Sequence, residues 1–154
     1  MRPLDPAIKK VWMIKLALGW AMVVFGVLIY DVFQLFDPNR WPPFMMTGLV
    51  SLIGGTLTLV LPHLRYRYWR FDLRPEELYL ERGIWNRVRT IVPLRRIQHL
   101  DVSQDVLERN FGLGKLIVHT AGTRSSDVVL PGLRYEEAER LRDEVKHYIT
   151  EDAV

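Results

Sequence analysis

Residues 44–61 have the sequence FMMTGLVSLIGGTLTLVL, eighteen positions without a charged side chain. An α-helix of this length rises about 27 Å, close to the roughly 30 Å thickness of the hydrocarbon core of a bilayer. A second charge-free stretch, LALGWAMVVFGVLIY at residues 16–30, precedes it. Lys15 lies at the edge of that stretch, where its aliphatic stem can reach the head groups. We therefore predict two transmembrane helices, at about residues 11–33 and 44–62.

Charged residues are distributed unevenly along the chain. Residues 1–64 contain five Lys or Arg and three Asp or Glu, whereas residues 65–154 contain sixteen and fifteen. The alternative to membrane spans is a pair of buried helices in a soluble bundle. Neither apolar stretch has the polar stripe of such a helix, and a chain of 154 residues could not cover both on all sides. The sequence thus predicts a membrane anchor at residues 1–64 and a soluble domain at residues 65–154.

Basic residues near the ends of the spans predict the orientation. Four precede the first span and four follow the second: Arg2, Lys9, Lys10 and Lys15, then Arg65, Arg67, Arg70 and Arg74. The turn between the spans contains one basic residue, Arg40, and two acidic residues, Asp31 and Asp37. Because cytoplasmic segments carry the excess of Lys and Arg, we expect a multi-pass protein of the cell (inner) membrane with both termini in the cytoplasm.

Small residues recur at helical spacing in both predicted spans. Gly48, Ser51, Gly55 and Thr58 fall on one face of the second span; in the first, Ala17 and Ala21 share one face, and Gly19 and Gly26 share roughly the opposite one. Small residues let helix backbones approach closely in lipid. These residues are therefore predicted to pack helices. The packing is either within the hairpin, which is the simpler interpretation, or between the subunits of a homo- or hetero-oligomer.

After Pro62 the pattern changes to short, partly alternating segments that are typical of β-strands. Such segments occupy residues 67–73, 78–80, 87–92, 97–102, 115–120 and 127–130, and residues 121–124 (AGTR) predict a turn. Residues 135–149 instead carry apolar side chains at steps of three and four, which predicts an amphipathic helix. Several strands followed by one helix indicate an α+β fold in which the helix covers an open end or face of the sheet.

The segment at residues 65–149 resembles the bacterial pleckstrin-homology-like (PH) domain, of the short type that follows two membrane spans. The resemblance rests on an aromatic, basic first strand (YRYW, residues 66–69), Gly83 after the second strand, VPLRRI at residues 92–97, Gln104, and RNFGLG at residues 109–114. With the two spans included, it covers nearly the whole chain. It implies a partly open β-barrel or sandwich of about seven strands capped by the C-terminal helix. It implies little about activity, because this fold is a scaffold for many kinds of binding.

The sequence predicts no catalytic site, no metal site and no cofactor. The chain has no Cys, which excludes thiolate nucleophiles and zinc–thiolate sites. Residues 112–115 (GLGK) lack the glycine spacing and the Ser or Thr of a phosphate-binding loop. An enzyme would require His99 or His119 beside Asp101 or Glu108 in a cleft. The net charge of +3 does not indicate a nucleic-acid partner.

Charge placement in the soluble part predicts a candidate lipid site. Residues 65–96 carry nine Arg against four acidic residues, whereas residues 97–154 carry seven basic against eleven acidic residues. A basic residue beside the inner leaflet gains about 1 kcal/mol from anionic head groups. The candidate head-group residues are Arg65, Arg67, Arg70, Arg87, Arg89, Arg95 and Arg96. Alternatively, Arg65 and Arg67 only set the topology. Arg87, Arg89, Arg95 and Arg96 then form ordinary solvent-facing ion pairs with the acidic half of the domain.

The resemblance also bears on lipid specificity. Eukaryotic relatives of the fold that bind phosphoinositides use basic residues in the first hairpin turn. Here that turn, residues 74–77 (RPEE), carries two carboxylates, which argues against specific phosphoinositide binding.

Three functions are weighed. The leading hypothesis is a membrane-tethered, non-enzymatic module that docks a protein partner at the cytoplasmic face, for example a homologous membrane subunit. Tethering raises the effective concentration of partners near the bilayer, so weak contacts can suffice. The second hypothesis is an anionic-lipid head-group sensor that uses the basic residues of the first strands. An enzyme is the third, and it lacks a recognisable set of acid–base groups.

Overall fold

The computed structural model describes residues 1–37, 42–121 and 127–151. The chain forms two compact units, the hairpin unit (Trp12–His63) and the sheet unit (Met1–Val11 with Leu64–Val154). The structure therefore groups the first eleven residues with the strands, and the sequence-based boundary between residues 64 and 65 stays a prediction. Arg40 and residues 122–124 of the predicted turn lie outside the described residues.

Two long apolar helices account for the hairpin unit: α1 (Ile8–Gln34) and α2 (Met45–Tyr68). Both are long enough and apolar enough to cross a membrane. Only 6% of the most apolar window of α1 and 11% of that of α2 is buried, which is not the behaviour of core helices in a soluble domain. The two predicted spans are thus confirmed as candidate transmembrane helices.

Two contacts join α1 and α2 inside the hairpin unit. Gly54 is buried, and a Cβ added there would lie 2.8 Å from the ring of Trp20. The Asp31 carboxylate accepts hydrogen bonds from the backbone N–H of Thr47 at 3.0 Å and from its hydroxyl at 2.8 Å. Thr47 lies in the first turn of α2, where backbone N–H groups have no partner within the helix. Asp31 therefore caps α2 from the neighbouring helix.

The sheet unit contains two three-stranded antiparallel sheets. The first sheet has the strand order β1 (Arg70–Leu73), β2 (Glu77–Arg82), β3 (Val88–Pro93). The second has the order β4 (Ile97–Ser103), β5 (Leu113–Thr120), β6 (Asp127–Arg134). The α+β class and the open sheets are confirmed, with six strands in the described residues where the resemblance implied about seven.

The first strand begins later than the sequence predicts. The sequence predicts a strand from residue 67, but α2 continues to Tyr68 and β1 begins at Arg70. The alternation in residues 66–69 (YRYW) is compatible with a strand. However, a helix that is already formed gains one hydrogen bond for each residue it adds, whereas a new element must be nucleated. The prediction is therefore wrong at the first three residues of this strand.

Two further helices accompany the second sheet, α3 (Val106–Asn110) and α4 (Tyr135–Glu151). α4 packs on all three strands of this sheet. Its apolar stripe is buried there, with Ala138, Leu141 and Val145 at most 3% exposed. The predicted amphipathic helix, and its position as a cover of the sheet, are confirmed.

The N-terminal segment joins the edges of the two sheets. Arg2 forms a β-bridge with Phe71 of β1, with N–H···O distances of 2.6 and 3.1 Å. Asp5 donates its backbone N–H to the carbonyl of Gly132 in β6, at 2.7 Å. Gly132 has a φ of +68°, and a Cβ added there would lie 2.9 Å from Ile8, so this close approach requires glycine.

Side chains of the same segment extend the core of the sheet unit. Leu4 is 1% exposed and Ile8 is fully buried. The Asp5 carboxylate accepts hydrogen bonds from the backbone N–H of Ala7 at 2.8 Å and from Arg134 Nε at 3.1 Å. Residues that precede the first span are therefore a structural part of the sheet unit, a feature that the sequence analysis did not predict.

Candidate functional site

Each three-stranded sheet has two edge strands, and the N-terminal segment covers one edge of each. It contacts β1 through Arg2 and β6 through Asp5. The other edge strands, β3 and β4, have a neighbouring strand on one side only within the described part of the chain. An edge strand offers backbone N–H and C=O groups to an extended segment of another protein. β3 and β4 are therefore the candidate docking edges.

A groove of about 560 Å³ runs between β4 and α4. Its lining residues are Ile97, Gln98, His99 and Leu100 on the strand, and Arg142, Asp143, Lys146 and Ile149 on the helix. Gln98 and His99 are exposed, and Arg142 is 2.9 Å from the Asp143 carboxylate. An extended peptide could pair with the backbone of β4 while its side chains contact the apolar and charged residues of α4. We call this feature the β4–α4 groove.

Two histidines and two aspartates form a hydrogen-bonded cluster on the second sheet. His119 Nδ1 lies 2.7 Å from Asp127, and His119 Nε2 lies 3.2 Å from Asp101. His99 Nε2 lies 2.8 Å from the other oxygen of Asp101. The hydrogen bond to Asp127 raises the pKa of His119 above its ordinary value, and the Asp127 charge and the contact with Asp101 add to this. Partial burial of the ring acts in the opposite direction.

This cluster brings His99 and His119 beside Asp101, but it does so on an open sheet face. The side chains of His99, Asp101 and Asp127 are 67%, 49% and 54% exposed. His99 lines the β4–α4 groove, whereas His119 and Asp101 do not. Within the described residues, no group of three or more His, Cys, Asp or Glu side chains could hold a metal ion. The arrangement can hold a proton at His119.

The seven arginines of the predicted lipid site fall into two groups. At one end of the first sheet, Arg70 lies opposite Glu81 and Arg82 lies opposite Val88. We call this the α2 end, because α2 ends two residues before β1 begins. Five of the predicted arginines lie at or next to it: Arg65, Arg67, Arg70, Arg87 and Arg89. The structure thus brings these five to one end of the sheet.

The other two arginines lie at the opposite end. There Glu77 faces Pro93, and Arg95 and Arg96 follow in a short 3-10 helix. Both are exposed. A flat membrane surface that contacts the α2 end is therefore not expected to contact Arg95 and Arg96 at the same time.

The seven small residues that were predicted to pack helices all occupy exposed positions: Ala17, Gly19, Ala21, Gly26, Gly48, Ser51 and Gly55. Among the described residues, nothing lies within 4 Å of a Cβ added at any of the four glycines of this set. Inside the hairpin unit the glycine that contacts the other helix is Gly54, next to the predicted face. A role of the predicted small residues between subunits stays a prediction.

An exposed tryptophan was not predicted from the sequence. Trp85, in the turn between β2 and β3, is 95% exposed, more than any other large apolar side chain in the described residues. The signal was present in residues 83–86 (GIWN), because Gly and Asn indicate a turn and a Trp in a tight turn has little access to the core.

Residues 8–149 match the bacterial PH domain family, so the match includes both long helices, all six strands and most of α4. The chain belongs to the bacterial PH domain family. Membership confirms the resemblance that the strand pattern and the RNFGLG segment indicate.

Two curated relatives of this bacterial PH domain protein come from Bacillus subtilis (strain 168). UPF0699 transmembrane protein YdbS is 32% identical over 150 residues, which cover 94% of this chain and 91% of the relative. UPF0699 transmembrane protein YdbT is 28% identical over 83 residues, which cover 53% of this chain and 17% of the relative. No solved structure gives a significant match. Together with the two apolar helices, the first relative identifies this PH domain protein as an integral membrane protein with two candidate spans.

Proposed function

We propose that this bacterial PH domain protein is a membrane-tethered, non-enzymatic binding module that docks a protein partner at the cytoplasmic face of the cell (inner) membrane. α1 and α2 serve as the anchor, and both termini are cytoplasmic. The observation that carries the proposal is the β4–α4 groove, which places an edge strand beside a helix that carries apolar and charged side chains.

The edges of the sheets support docking by strand addition. The chain covers β1 and β6 with its own N-terminal segment, and the Arg2–Phe71 bridge is itself a small case of backbone pairing at an edge. Within the described residues β4 has a neighbouring strand on one side only, and the groove of about 560 Å³ lies beside it. Main-chain hydrogen bonds to such an edge supply affinity, and the adjoining side chains supply selectivity.

The partner class that we favour is a homologous membrane subunit. Bacillus subtilis has two relatives of this chain, and in the second the matched region is 17% of the length, so most of that relative is additional sequence. Two membrane-anchored PH domains diffuse in the same plane, which raises their effective concentration for each other. A weak contact through β4 would therefore be sufficient for association.

Site-specific crosslinking in native membranes tests this proposal. A photo-crosslinking amino acid replaces Gln98 in the β4–α4 groove, and in the matched control it replaces Glu136, an exposed residue of α4 that does not line the groove. We expect an adduct with another membrane protein that contains a bacterial PH domain from position 98, and none from position 136. Equal adducts from both positions, or none from either, would contradict the proposal.

A second candidate function, binding of anionic lipid head groups, is supported by the arginines gathered at the α2 end. Arg87 and Arg89 are exposed there, and Arg89 is 3.7 Å from Glu81. The test uses the full chain, because residues 65–154 alone lack the buried Leu4 and Ile8. Native mass spectrometry in micelles doped with phosphatidylglycerol measures how many lipids are retained. We expect R87Q/R89Q to lower that number and the matched pair R95Q/R96Q to leave it unchanged; equal effects would contradict this candidate.

A further inference from the structure

The turn between β2 and β3, residues 83–87, presents a tryptophan to its surroundings. The Trp85 side chain is 95% exposed, and Val88, the first residue of β3, is 39% exposed. A tryptophan of this kind has up to about 250 Å² of largely apolar surface to bury, together with an N–H group that prefers a polar partner. In water the N–H group can form hydrogen bonds, but the apolar surface of the ring stays unburied.

The backbone holds this tryptophan outward on a tight turn. Gly83 has a φ of +117°, and a Cβ added there would overlap the carbonyl oxygen of Asn86. Any other residue at position 83 would therefore open the turn. The turn connects two paired strands, and Arg82 lies opposite Val88. The pairing therefore fixes the position of the turn that carries Trp85.

Strand topology places the turn at the α2 end of the first sheet. The chain leaves α2 at Tyr68 and enters β1 at Arg70, so β1 runs away from the end of α2. β2 returns, and Glu81 comes to lie opposite Arg70. The next residues form the turn that carries Trp85.

We propose that the β2–β3 turn is a membrane-contacting loop, in which Trp85 inserts into the interfacial region of the bilayer that α1 and α2 span. Arg82 and Arg87 flank the tryptophan and are exposed, so they contact the phosphate groups at the same depth. This inference goes beyond protein docking and does not depend on the β4–α4 groove.

The bilayer is the occupant that the chemistry of the turn favours. Tryptophan is enriched where membrane meets water, because its ring is apolar while its N–H remains hydrogen-bonded. Arg side chains beside it bury their stems and keep the guanidinium groups among the phosphates. One inserted ring is a weak anchor alone, but the membrane anchor tethers the turn to the same bilayer and raises its effective concentration there. A second point of attachment would restrict how the sheet unit turns about the end of α2.

The absence of Cys from the chain makes the test direct, because one introduced cysteine carries the only label. The full chain with Asn86→Cys is spin-labelled in phosphatidylcholine vesicles, and collision with apolar O₂ is compared with collision with a water-soluble nickel chelate. Glu76→Cys, an exposed position in the turn at the opposite end of the sheet, is the matched control. Trp85→Ala in the Asn86→Cys background tests the ring, with circular dichroism as a check that the fold is retained.

We expect the ratio of O₂ to nickel collisions to be several-fold higher at position 86 than at position 76, and to fall to the control value with Trp85→Ala. Because phosphatidylcholine vesicles contain no anionic lipid, this difference separates insertion of the ring from binding of anionic head groups by the arginines. Equal ratios at positions 86 and 76 would overturn the proposal. Protection of position 86 from both reagents would also overturn it, because it would mean that the turn contacts protein.

Discussion

The carboxylate of Asp31, near the end of α1, accepts two hydrogen bonds from Thr47 in the first turn of α2, one from the backbone N–H and one from the hydroxyl. Asp31 is 7% exposed. Glu108, at 4%, is the other buried carboxylate of the described residues, and it accepts a hydrogen bond from the backbone N–H of Asp105 at the start of α3. Both buried carboxylates therefore satisfy N–H groups at the start of a helix, where a negative charge is favourable.

Replacing Asp31 should loosen the hairpin unit. Asp31→Ala leaves the N–H of Thr47 without its acceptor, and loss of an N-terminal cap costs about 0.5–2 kcal/mol. Thermal unfolding of the full chain in mild detergent measures the loss. Thr47→Val removes only the hydroxyl and should cost less than Asp31→Ala. The double variant should be no less stable than Asp31→Ala alone, and additive losses would show that the two residues act separately.

Two adjacent glycines of α2 should respond differently to alanine. A methyl group at Gly54 would meet the Trp20 ring at 2.8 Å, and overpacking of this kind costs about 1–3 kcal/mol. Gly55 is the matched control, because nothing among the described residues lies within 4 Å of its added Cβ. We expect G54A to lower the midpoint of SDS-induced unfolding and G55A to leave it unchanged or raise it. A similar loss in both variants would contradict the observed contact between the helices.

The N-terminal segment should stabilise the sheet unit although it precedes the first span. Leu4 is 1% exposed, and truncation of a buried leucine to alanine costs about 2–5 kcal/mol. Hydrogen exchange should therefore be faster in β1 and β6 of Leu4→Ala than in the parent chain. Pro3→Ala, at an exposed position, is the control and should leave exchange unchanged. Unchanged exchange in Leu4→Ala would show that the strands do not depend on residues 1–11.

The His119 cluster should make the stability of the second sheet depend on pH. Because the hydrogen bond to Asp127 raises the pKa of His119 above the value of about 6.5 expected for the unfolded chain, the protonated imidazole stabilises the fold. This contribution is fully present below about pH 6.5 and is lost as the pH rises through the folded-state pKa. NMR titration of the His119 ring should give a midpoint above 6.5, and Asp127→Asn should lower it. A midpoint that Asp127→Asn leaves unchanged would contradict the assigned cause.

Local patterns in the sequence predicted the elements whose neighbours are close along the chain. The spans follow from the charge-free length of residues 16–30 and 44–61, and α4 follows from the spacing of Ala138, Leu141 and Val145. The start of β1 could not be predicted in the same way, because residues 66–69 are compatible with either a strand or a helix. The preceding helix decided between them.

Contacts between residues that are far apart in the sequence could not be predicted from such local patterns. Nothing in the sequence around Leu4 indicates that Arg2 bonds to β1 and Asp5 to β6. Only the pairing of strands separates Arg95 from Arg87. The small-residue faces show a related limit. A spacing rule identifies Gly48 and Gly55 as readily as Gly54, and the Trp20 ring decides which of them the other helix contacts.

The bridge between Arg2 and Phe71 links membrane insertion to completion of the fold. Residues 1–8 leave the ribosome before β6, to which Asp5 bonds and which is synthesised more than a hundred residues later. Residues 1–8 must therefore lie on the same side of the bilayer as the sheets. This requires that the chain cross the membrane an even number of times between residue 8 and the first strand. If the first span inserted in the reverse direction, Leu4 and Ile8 would lie on the opposite side of the bilayer from the two sheets. The edges at β1 and β6 would then stay uncovered.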